Sequence, residues 1–190
     1  IKIEGLLALL RKEILCNMDD LADNNNIILF QKCLAVQCFY NEFAFFQSDK
    51  EDKIVQKLEK NLETQANNNQ LISSLNLLCL ASYTKIYNYD WARSILYSDE
   101  IKDVFKIVVS EPLLERSIKP LLTSITNIKD ETSKIVEYQY SDSPYPRWRY
   151  TPTNTEINLD LFIKATNLKT TKNITILQNP PEILVAGCGT

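Results

Sequence analysis

Helical spacing of apolar residues, with almost no glycine, is the feature that most constrains this chain. Gly5 is the only glycine before residue 127, and asparagine, aspartate and serine separate the apolar segments. Apolar side chains three and four positions apart lie on one face of a helix, whereas a half-buried strand requires alternation. The sequence therefore predicts a mainly α-helical fold, with a multi-helix bundle over residues 1–127.

The first predicted helix carries one apolar stripe and is followed by a polar loop. The stripe comprises Ile3, Leu6, Leu7, Leu10 and Ile14. The opposite face comprises Lys2, Arg11, Lys12 and Glu13. We expect residues 18–26 to form a loop that ends the helix.

Two strongly apolar segments are predicted to be central helices, with a surface helix between them. Residues 27–46 are apolar on nearly every side, which favours the middle of the bundle, and residues 71–87 repeat this character. Between them, Ser48 and Glu51 have the spacing of a capping box that begins a one-sided helix. Its apolar face comprises Ile54, Val55, Leu58 and Leu62. The asparagine runs at 24–26 and 67–69 are predicted to be loops.

Shorter segments complete the predicted bundle. Residues 89–97 and 99–109 have helical spacing, and Ser98 suits the N-cap of the second segment. Pro112 and Pro120 suit the first turns of two short helices, because proline there loses no intrahelical hydrogen bond. Residues 130–140 are predicted to form one more helix. A tetratricopeptide-like solenoid receives little support, because no two copies of a repeat of about 34 residues align.

Charge and hydropathy argue against several classes of partner. The chain has 190 residues and a formal net charge of -3, which provides no long-range attraction for nucleic acid or an anionic membrane surface. No apolar run reaches the ~18 to 20 residues needed to cross a bilayer, and the N-terminus lacks a signal-peptide pattern. We therefore expect a cytoplasmic protein that has no membrane partner and does not bind nucleic acid.

The cysteines indicate buried thiols rather than a disulfide or metal framework. The five are Cys16, Cys33, Cys38, Cys79 and Cys188. Their number is odd and no pair has C-x-x-C spacing, which favours buried thiols in a reducing compartment. The chain contains no histidine, so the commonest metal ligand and neutral-pH proton shuttle are missing. We expect no metal site and no catalytic residue within these residues.

The character of the chain changes after residue 127. Pro144 and Pro146 favour an extended backbone in an aromatic-rich segment. Residues 158–166 have the pattern of a short helix, and residues 174–177 and 183–186 the pattern of short β-strands. We therefore divide the chain into a helical domain (1–127), a helix with an extended proline and aromatic linker (128–171), and the start of a further domain (172–190).

The last residues combine an apolar run with a Gly-x-Gly turn, in Glu182-Ile-Leu-Val-Ala-Gly-Cys-Gly-Thr190. This pattern predicts a strand buried on both faces, followed by a loop whose missing side chains let a ligand approach the backbone. An ordinary strand that ends in a glycine turn is the alternative. The run resembles motif I of class I S-adenosylmethionine-dependent methyltransferases, the start of a Rossmann-like domain. The resemblance implies that Gly187 and Gly189 line the amino-acid end of the cofactor. We expect Cys188 to be a small spacer rather than a nucleophile, because nothing nearby in the sequence would lower its pKa.

A second segment, Glu137-Tyr-Gln-Tyr-Ser-Asp-Ser-Pro-Tyr-Pro-Arg-Trp-Arg-Tyr150, combines flat rings, rigid prolines and planar cations. Such a segment suits recognition of a planar or anionic ligand, and it equally suits packing as an interdomain linker. It resembles a Gln-Tyr-x-x-x-Pro-Tyr-Pro-Arg-Trp signature of bacterial methyltransferases that carry a helical, often tetratricopeptide-repeat, N-terminal region. The matching residues are Gln139, Tyr140, Pro144, Tyr145, Pro146, Arg147 and Trp148. Residues 141–143 depart from the family pattern, so no role is carried over to them.

The resemblance is close from residue 111 onward and loose before it, including residues 38–42. It implies that the parent protein is a methyltransferase and that this chain is its N-terminal helical module, truncated within motif I and inactive alone. S-adenosylmethionine would bind the parent enzyme and not this chain, with Tyr145, Arg147 and Trp148 as candidate pocket residues. The implied partners are the rest of the methyltransferase domain and a second copy that pairs through the strand at 183–186. The resemblance does not supply a methyl acceptor.

Two other functions remain open from the sequence. The chain is alternatively a helical protein-interaction module without enzymatic role, in which the Pro-Tyr-Pro-Arg-Trp segment only packs between domains. Nucleic-acid binding through Arg147, Trp148 and Arg149 is a further alternative because such side chains stack on bases. The net negative charge argues against that last alternative.

Overall fold

Helices account for most of the chain that the structure describes. A computed structural model describes residues 2–21, 24–122 and 129–142. The helices are α1 (Lys2–Cys16), α2 (Met18–Leu21), α3 (Asn25–Tyr40), α4 (Asp49–Asn67), α5 (Ser74–Ala81), α6 (Lys102–Phe105), α7 (Glu111–Ile118) and α8 (Glu131–Asp142). The prediction of a mainly helical fold is confirmed. The extended linker, the helix at 158–166 and the strands at 174–177 and 183–186 were predicted for residues outside this description.

Tight helical turns lie between α5 and α8 in the described part of the chain. The 3₁₀ turns are Ile86–Asn88, Asp90–Ser94, Asp99–Ile101 and Lys119–Leu121, and Lys106–Ser110 is a π turn between α6 and α7. No β-strand occurs within residues 2–21, 24–122 and 129–142, where Leu71 and Leu96 form an isolated parallel bridge.

The core lies where α3 and α5 pack against each other, flanked by α1 and α4. The side chains buried there are almost all aliphatic or aromatic, which makes burial of apolar surface the main stabilising term. Representative members are Leu15, Ala35, Phe39, Leu58, Leu62, Leu75, Leu78, Leu80 and Val109. The predictions that two strongly apolar helices lie in the centre of the fold are therefore confirmed, although both helices are shorter than predicted.

The buried face of α1 differs from the predicted stripe. Ile14 and Leu15 are buried, but Ile3 is 73% and Leu6 54% exposed. Arg11, which the sequence placed on the opposite face, is only 1% exposed. The error has a geometric cause, because Arg11, Ile14 and Leu15 are neighbours on one helical face at spacings of three and four. The predicted loop after α1 also contains a helical turn, α2.

Helix α3 begins earlier and ends earlier than predicted. Asn24 is its N-cap, with Oδ1 accepting from the backbone N–H groups of Asn26 at 3.1 Å and Ile27 at 3.2 Å. One residue of the predicted asparagine loop is therefore a cap and the other two are helical. The helix ends at Tyr40, because residues 42 and 43 adopt the left-handed backbone conformation. Phe46, predicted to belong to the helix, lies beyond it and is 81% exposed.

Helix α4 matches its prediction. The backbone N–H and the hydroxyl of Ser48 both donate to Glu51 Oε2, at 2.9 Å and 2.6 Å. Val55, Leu58 and Leu62 are buried on one face. The helix ends at Asn67, and Asn69 adopts a positive φ of 52°, which asparagine tolerates better than most residues. The capping box, the surface helix and the asparagine stop are confirmed.

Helix α5 covers only the middle of the predicted helix at 71–87. At its start, the Ile72 N–H donates to the Leu96 carbonyl at 2.9 Å, which removes residues 71 and 72 from the helical pattern. At its end, the Ser82 hydroxyl donates to the Leu78 carbonyl at 2.9 Å. Serine competes in this way with the backbone for helical carbonyls, which favours a helix end.

The remaining predicted start signals, Ser98, Pro112 and Pro120, are present. The Ser98 hydroxyl accepts from the Glu100 N–H at 3.3 Å. A cap that was not predicted lies just before α8, where Asp130 Oδ2 accepts from the Ser133 N–H at 2.8 Å. Pro112 and Pro120 lie in the first turns of α7 and of the last 3₁₀ turn. The segment at 89–97 is wrong as an α-helix, since it forms a 3₁₀ turn at Asp90–Ser94.

Candidate functional site

The site residues proposed from the sequence lie outside the described part of the chain. This applies to Gly187 and Gly189 of the motif I resemblance, to Cys188 between them, and to Tyr145, Arg147 and Trp148. Of the signature, only Gln139 and Tyr140 are described, near the C-terminal end of the exposed helix α8. The described residues contribute two other features, a buried polar cluster and a surface cleft beside it.

The buried polar cluster is centred on Arg11. Its Nη1 donates to the Ser82 carbonyl at 3.2 Å, and its Nη2 donates to the Phe46 carbonyl at 2.9 Å. The guanidinium carbon lies 4.0 Å from the centre of the Tyr83 ring. A delocalised cation over an aromatic face is stabilised by the ring quadrupole. Arg11 thus joins α1 to α5 and to the loop after α3.

Glu51 provides the negative charge of this cluster. Its Oε1 lies 3.9 Å from Arg11 Nη2 and accepts a hydrogen bond from the Tyr83 hydroxyl at 2.8 Å. Burial raises the pKa of Glu51, but hydrogen bonds from Ser48 and Tyr83 and the Arg11 charge outweigh burial and hold the pKa below its ordinary value. The carboxylate is therefore ionised inside the fold, where it balances the buried guanidinium.

Gln31 extends the cluster into α3. Its Nε2 donates to the Ser82 hydroxyl at 2.7 Å, so the side chains of Arg11, Gln31, Glu51, Ser82 and Tyr83 form one group, called here the Arg11 cluster. Three helices, α1, α3 and α4, and the segment directly after α5 contribute to it. Such a group fixes the relative positions of α1, α3, α4 and α5, because each polar atom is costly to bury unless its partner stays in place.

The side chains of the Arg11 cluster hold the helices in place, and they do not have the properties of a catalytic site. Burial raises the pKa of Cys38 beside Arg11 to about 11, although the Arg11 charge opposes this change. Burial and the hydrogen bond to Glu51 also raise the pKa of Tyr83. Neither group is an activated nucleophile at neutral pH. Residues 2–21, 24–122 and 129–142 contain no group of three or more side chains suited to hold a metal, and none of their helices is long and apolar enough to span a membrane.

The cysteines partly follow the prediction of buried thiols. Cys38 and Cys79 are fully buried, and burial raises the pKa of Cys79 to about 12. Cys16 is half-buried and Cys33 is exposed on α3, so the prediction is wrong for Cys33. All four are free thiols.

A surface cleft lies between α1 and the loop that follows α3. Its volume is about 500 Å³. The lining residues are Glu4, Gly5, Ala8, Asn41, Ala44, Phe45 and Phe46. The Arg11 cluster adjoins it, since Arg11 binds the Phe46 carbonyl and lies 5.6 Å from the Phe45 ring centre. Sequence reasoning found neither feature, although the i+3 and i+4 neighbours of Arg11, both apolar, were a signal that it lies on the buried face.

Comparisons of the chain with protein-family models, with curated proteins and with solved structures give no match.

Proposed function

We propose that this chain is the N-terminal helical module of an S-adenosylmethionine-dependent methyltransferase, together with the lead-in to its catalytic domain. The observation that carries the proposal is the order of two motifs in the sequence. The Pro-Tyr-Pro-Arg-Trp signature at 144–148 precedes the motif I resemblance at 183–190 by some tens of residues, as in the bacterial family that both resemble.

In this proposal the cofactor supplies an electrophilic methyl group on its sulfonium. Gly187 and Gly189 leave the backbone open to the amino-acid end of the cofactor, because neither residue carries a side chain. Tyr145, Arg147 and Trp148 belong to the pocket, where flat rings and a guanidinium orient the acceptor and exclude water. Positioning and desolvation, rather than proton transfer, are what such a displacement needs from the protein.

The helical module would bind or orient the substrate, or hold the catalytic domain against a partner. A rigid scaffold suits either role, and the Arg11 cluster ties together α1, α3, α4 and α5.

The proposal is tested by the coding sequence that follows Thr190 and by substitution in the complete enzyme. We expect that sequence to encode a further glycine, a helix and then a strand that ends in aspartate or glutamate for the ribose hydroxyls. Alanine at Tyr145, Arg147 or Trp148 is expected to lower turnover while the enzyme stays folded. A continuation without this pattern, or unchanged turnover in all three variants, would contradict the proposal.

A helical interaction module without enzymatic role is the second candidate, and exposed apolar residues near α7 favour it. Leu114 is 58%, Ile118 41% and Leu121 80% exposed. Their spacing of four and three places them on one helical side. Under this candidate, charged substitution at Leu114 and Ile118 abolishes partner binding, and no methyl transfer accompanies that binding. The two candidates are separated by the same coding sequence after Thr190.

A further inference from the structure

The N-terminal half of α1 is apolar on more sides than the bundle covers. Residues 5–10 read Gly-Leu-Leu-Ala-Leu-Leu, and a helix that is apolar all round normally lies inside a protein. Yet Ile3, Leu6 and Leu9 each leave more than half of their surface exposed. At about 100° per residue, Leu6 lies on the side of α1 opposite the buried Leu15. The composition of this side favours burial, whereas the described residues leave it open to solvent.

The exposed apolar surface continues from α1 to the loop after α3. Along the helix, Ile3 neighbours Leu6, and Leu6 neighbours Leu9, at spacings of three. Leu9 in turn neighbours Gly5, which lines the cleft whose other wall carries Phe46. The four large side chains, Ile3, Leu6, Leu9 and Phe46, are called here the α1 face. Together they expose several hundred Å², and monomeric proteins rarely leave a larger contiguous apolar patch open to water.

Phe46 is displayed on a fixed backbone. The residue is 81% exposed, whereas its carbonyl accepts a hydrogen bond from the buried Arg11 Nη2 at 2.9 Å. Earlier in the same loop, Glu42 and Phe43 have positive φ values of 53° and 59°. Residues other than glycine rarely adopt this conformation, which persists only where the surrounding structure fixes it. A contact made by the Phe46 ring therefore costs little ordering of the backbone that carries it.

The charges near the α1 face favour a protein surface over a polyanion. Within residues 3–10 the one charged residue is Glu4, and Lys12 and Glu13 beyond them carry opposite charges. A helix that lies on a membrane carries several lysine or arginine side chains beside its apolar ones. Nucleic acid likewise requires clustered positive charge. The face therefore suits an apolar patch of a protein.

We propose that the α1 face is the interface of a homodimer, in which it packs against the same face of a second copy. The exposed Phe46 ring lies beside a cleft of about 500 Å³ to which Ala8, Ala44 and Phe45 contribute apolar surface. In a twofold contact both copies offer the same patch, so the Phe46 ring of each copy enters the cleft of the other. A projecting ring and an apolar cleft side by side make a patch complementary to itself, whereas a different partner would require only one of them.

The area of the α1 face suits a specific but weak dimer. Two such faces would together bury on the order of 1,000 Å², which lies at the lower end of the range for specific interfaces. We therefore expect a dissociation constant in the micromolar range. The dimer involves no residue of the two methyltransferase motifs, and it does not use the strand predicted at 183–186.

Sedimentation velocity of the 190-residue chain, from low micromolar to several hundred micromolar concentration, tests the proposal. We expect a reversible shift from the mass of one chain to the mass of two. Leu9→Lys and Phe46→Ser should each weaken dimerisation at least tenfold and leave the melting temperature of the monomer unchanged, because both side chains are exposed. A chain that stays monomeric over the whole range would overturn the proposal.

Two matched variants separate the α1 face from other surfaces. Leu71 is 68% exposed and follows the C-terminal end of α4, a helix about 28 Å long whose first turn contacts Arg11 through Glu51. Leu71→Lys is thus remote from the face and should leave the dimer unchanged. Val185→Lys should also leave it unchanged, although that variant would abolish a dimer paired through the strand at 183–186. Loss of the dimer in either of these variants, or its persistence in both Leu9→Lys and Phe46→Ser, would refute the α1 face as the interface.

Discussion

Arg11 Nη2 and Glu51 Oε1 lie 3.9 Å apart, with the two side chains 0% and 3% exposed. The pair is embedded in hydrogen bonds to Ser48, Tyr83 and backbone carbonyls. Burying two charges is costly, and their attraction offsets that cost only when further hydrogen bonds satisfy both groups. The pair therefore need not make the fold more stable than an apolar pair would, but the loss of either partner leaves a buried charge alone.

Replacement of Arg11 by methionine should destabilise the chain by about 3–5 kcal/mol, the cost of leaving one member of a buried ion pair alone. Urea unfolding followed by circular dichroism measures the change. Glu13→Gln is the matched control on the exposed face of the same helix, and we expect a change within about 0.5 kcal/mol. In the double variant Arg11→Met with Glu51→Gln, the loss should be smaller than the sum of the two single losses. Additive losses would show that the two side chains do not act as a pair.

Stability should fall at acidic pH in a way that depends on Glu51. Its pKa in the folded chain is below the ordinary value of 4.5. Above the pKa of Glu51 in the unfolded chain, the carboxyl is ionised in both states and its stabilisation of the fold is fully present. As the pH falls below that value, the unfolded chain takes up a proton that the folded chain does not. The stabilisation by Glu51 is therefore lost as the pH falls through the lower pKa of the folded chain.

The matched variant for this pH dependence is Glu51→Gln, which cannot titrate. The difference in unfolding free energy between the native chain and the variant should shrink from about pH 7 to about pH 3. Asp103 and Asp130, whose pKa values are also lowered, should leave the variant with part of its acid sensitivity. A difference that stays constant over this range would contradict the assignment of a charged Glu51 to the cluster.

The sequence predicted where helices begin and end more reliably than which residues contact each other in the tertiary structure. The capping box at Ser48 and Glu51 and the stop at 67–69 depend on neighbouring residues, and both are present. Arg11 was misplaced because its partners, Glu51 and Ser82, are distant in sequence. Helical spacing alone predicts that an arginine lies at the polar surface. Here a carboxylate and a carbonyl that are distant in sequence offset the cost of its burial. The cleft was missed for a similar reason, since it forms only where Gly5 and Asn41 are brought together.

Thiol reactivity should differ sharply among the described cysteines. With iodoacetamide at about pH 8, we expect Cys33 to be alkylated rapidly because it is exposed, and Cys38 and Cys79 to resist because burial raises their pKa values and blocks access. Peptide mass mapping over time measures each site separately. The same experiment in urea is the control, where the two should become reactive. Rapid native alkylation of Cys79 would contradict the packing of α5.

The methyltransferase proposal is tested most directly by calorimetric titration of S-adenosylmethionine into the protein encoded by the complete reading frame. We predict one site per chain, weakened strongly by Gly187→Leu. Under the same proposal Gly187 and Gly189 are only part of the cofactor site, so the 190-residue chain alone should show no measurable binding. Absence of binding by the complete, folded protein, or binding that Gly187→Leu leaves unchanged, would contradict the proposal.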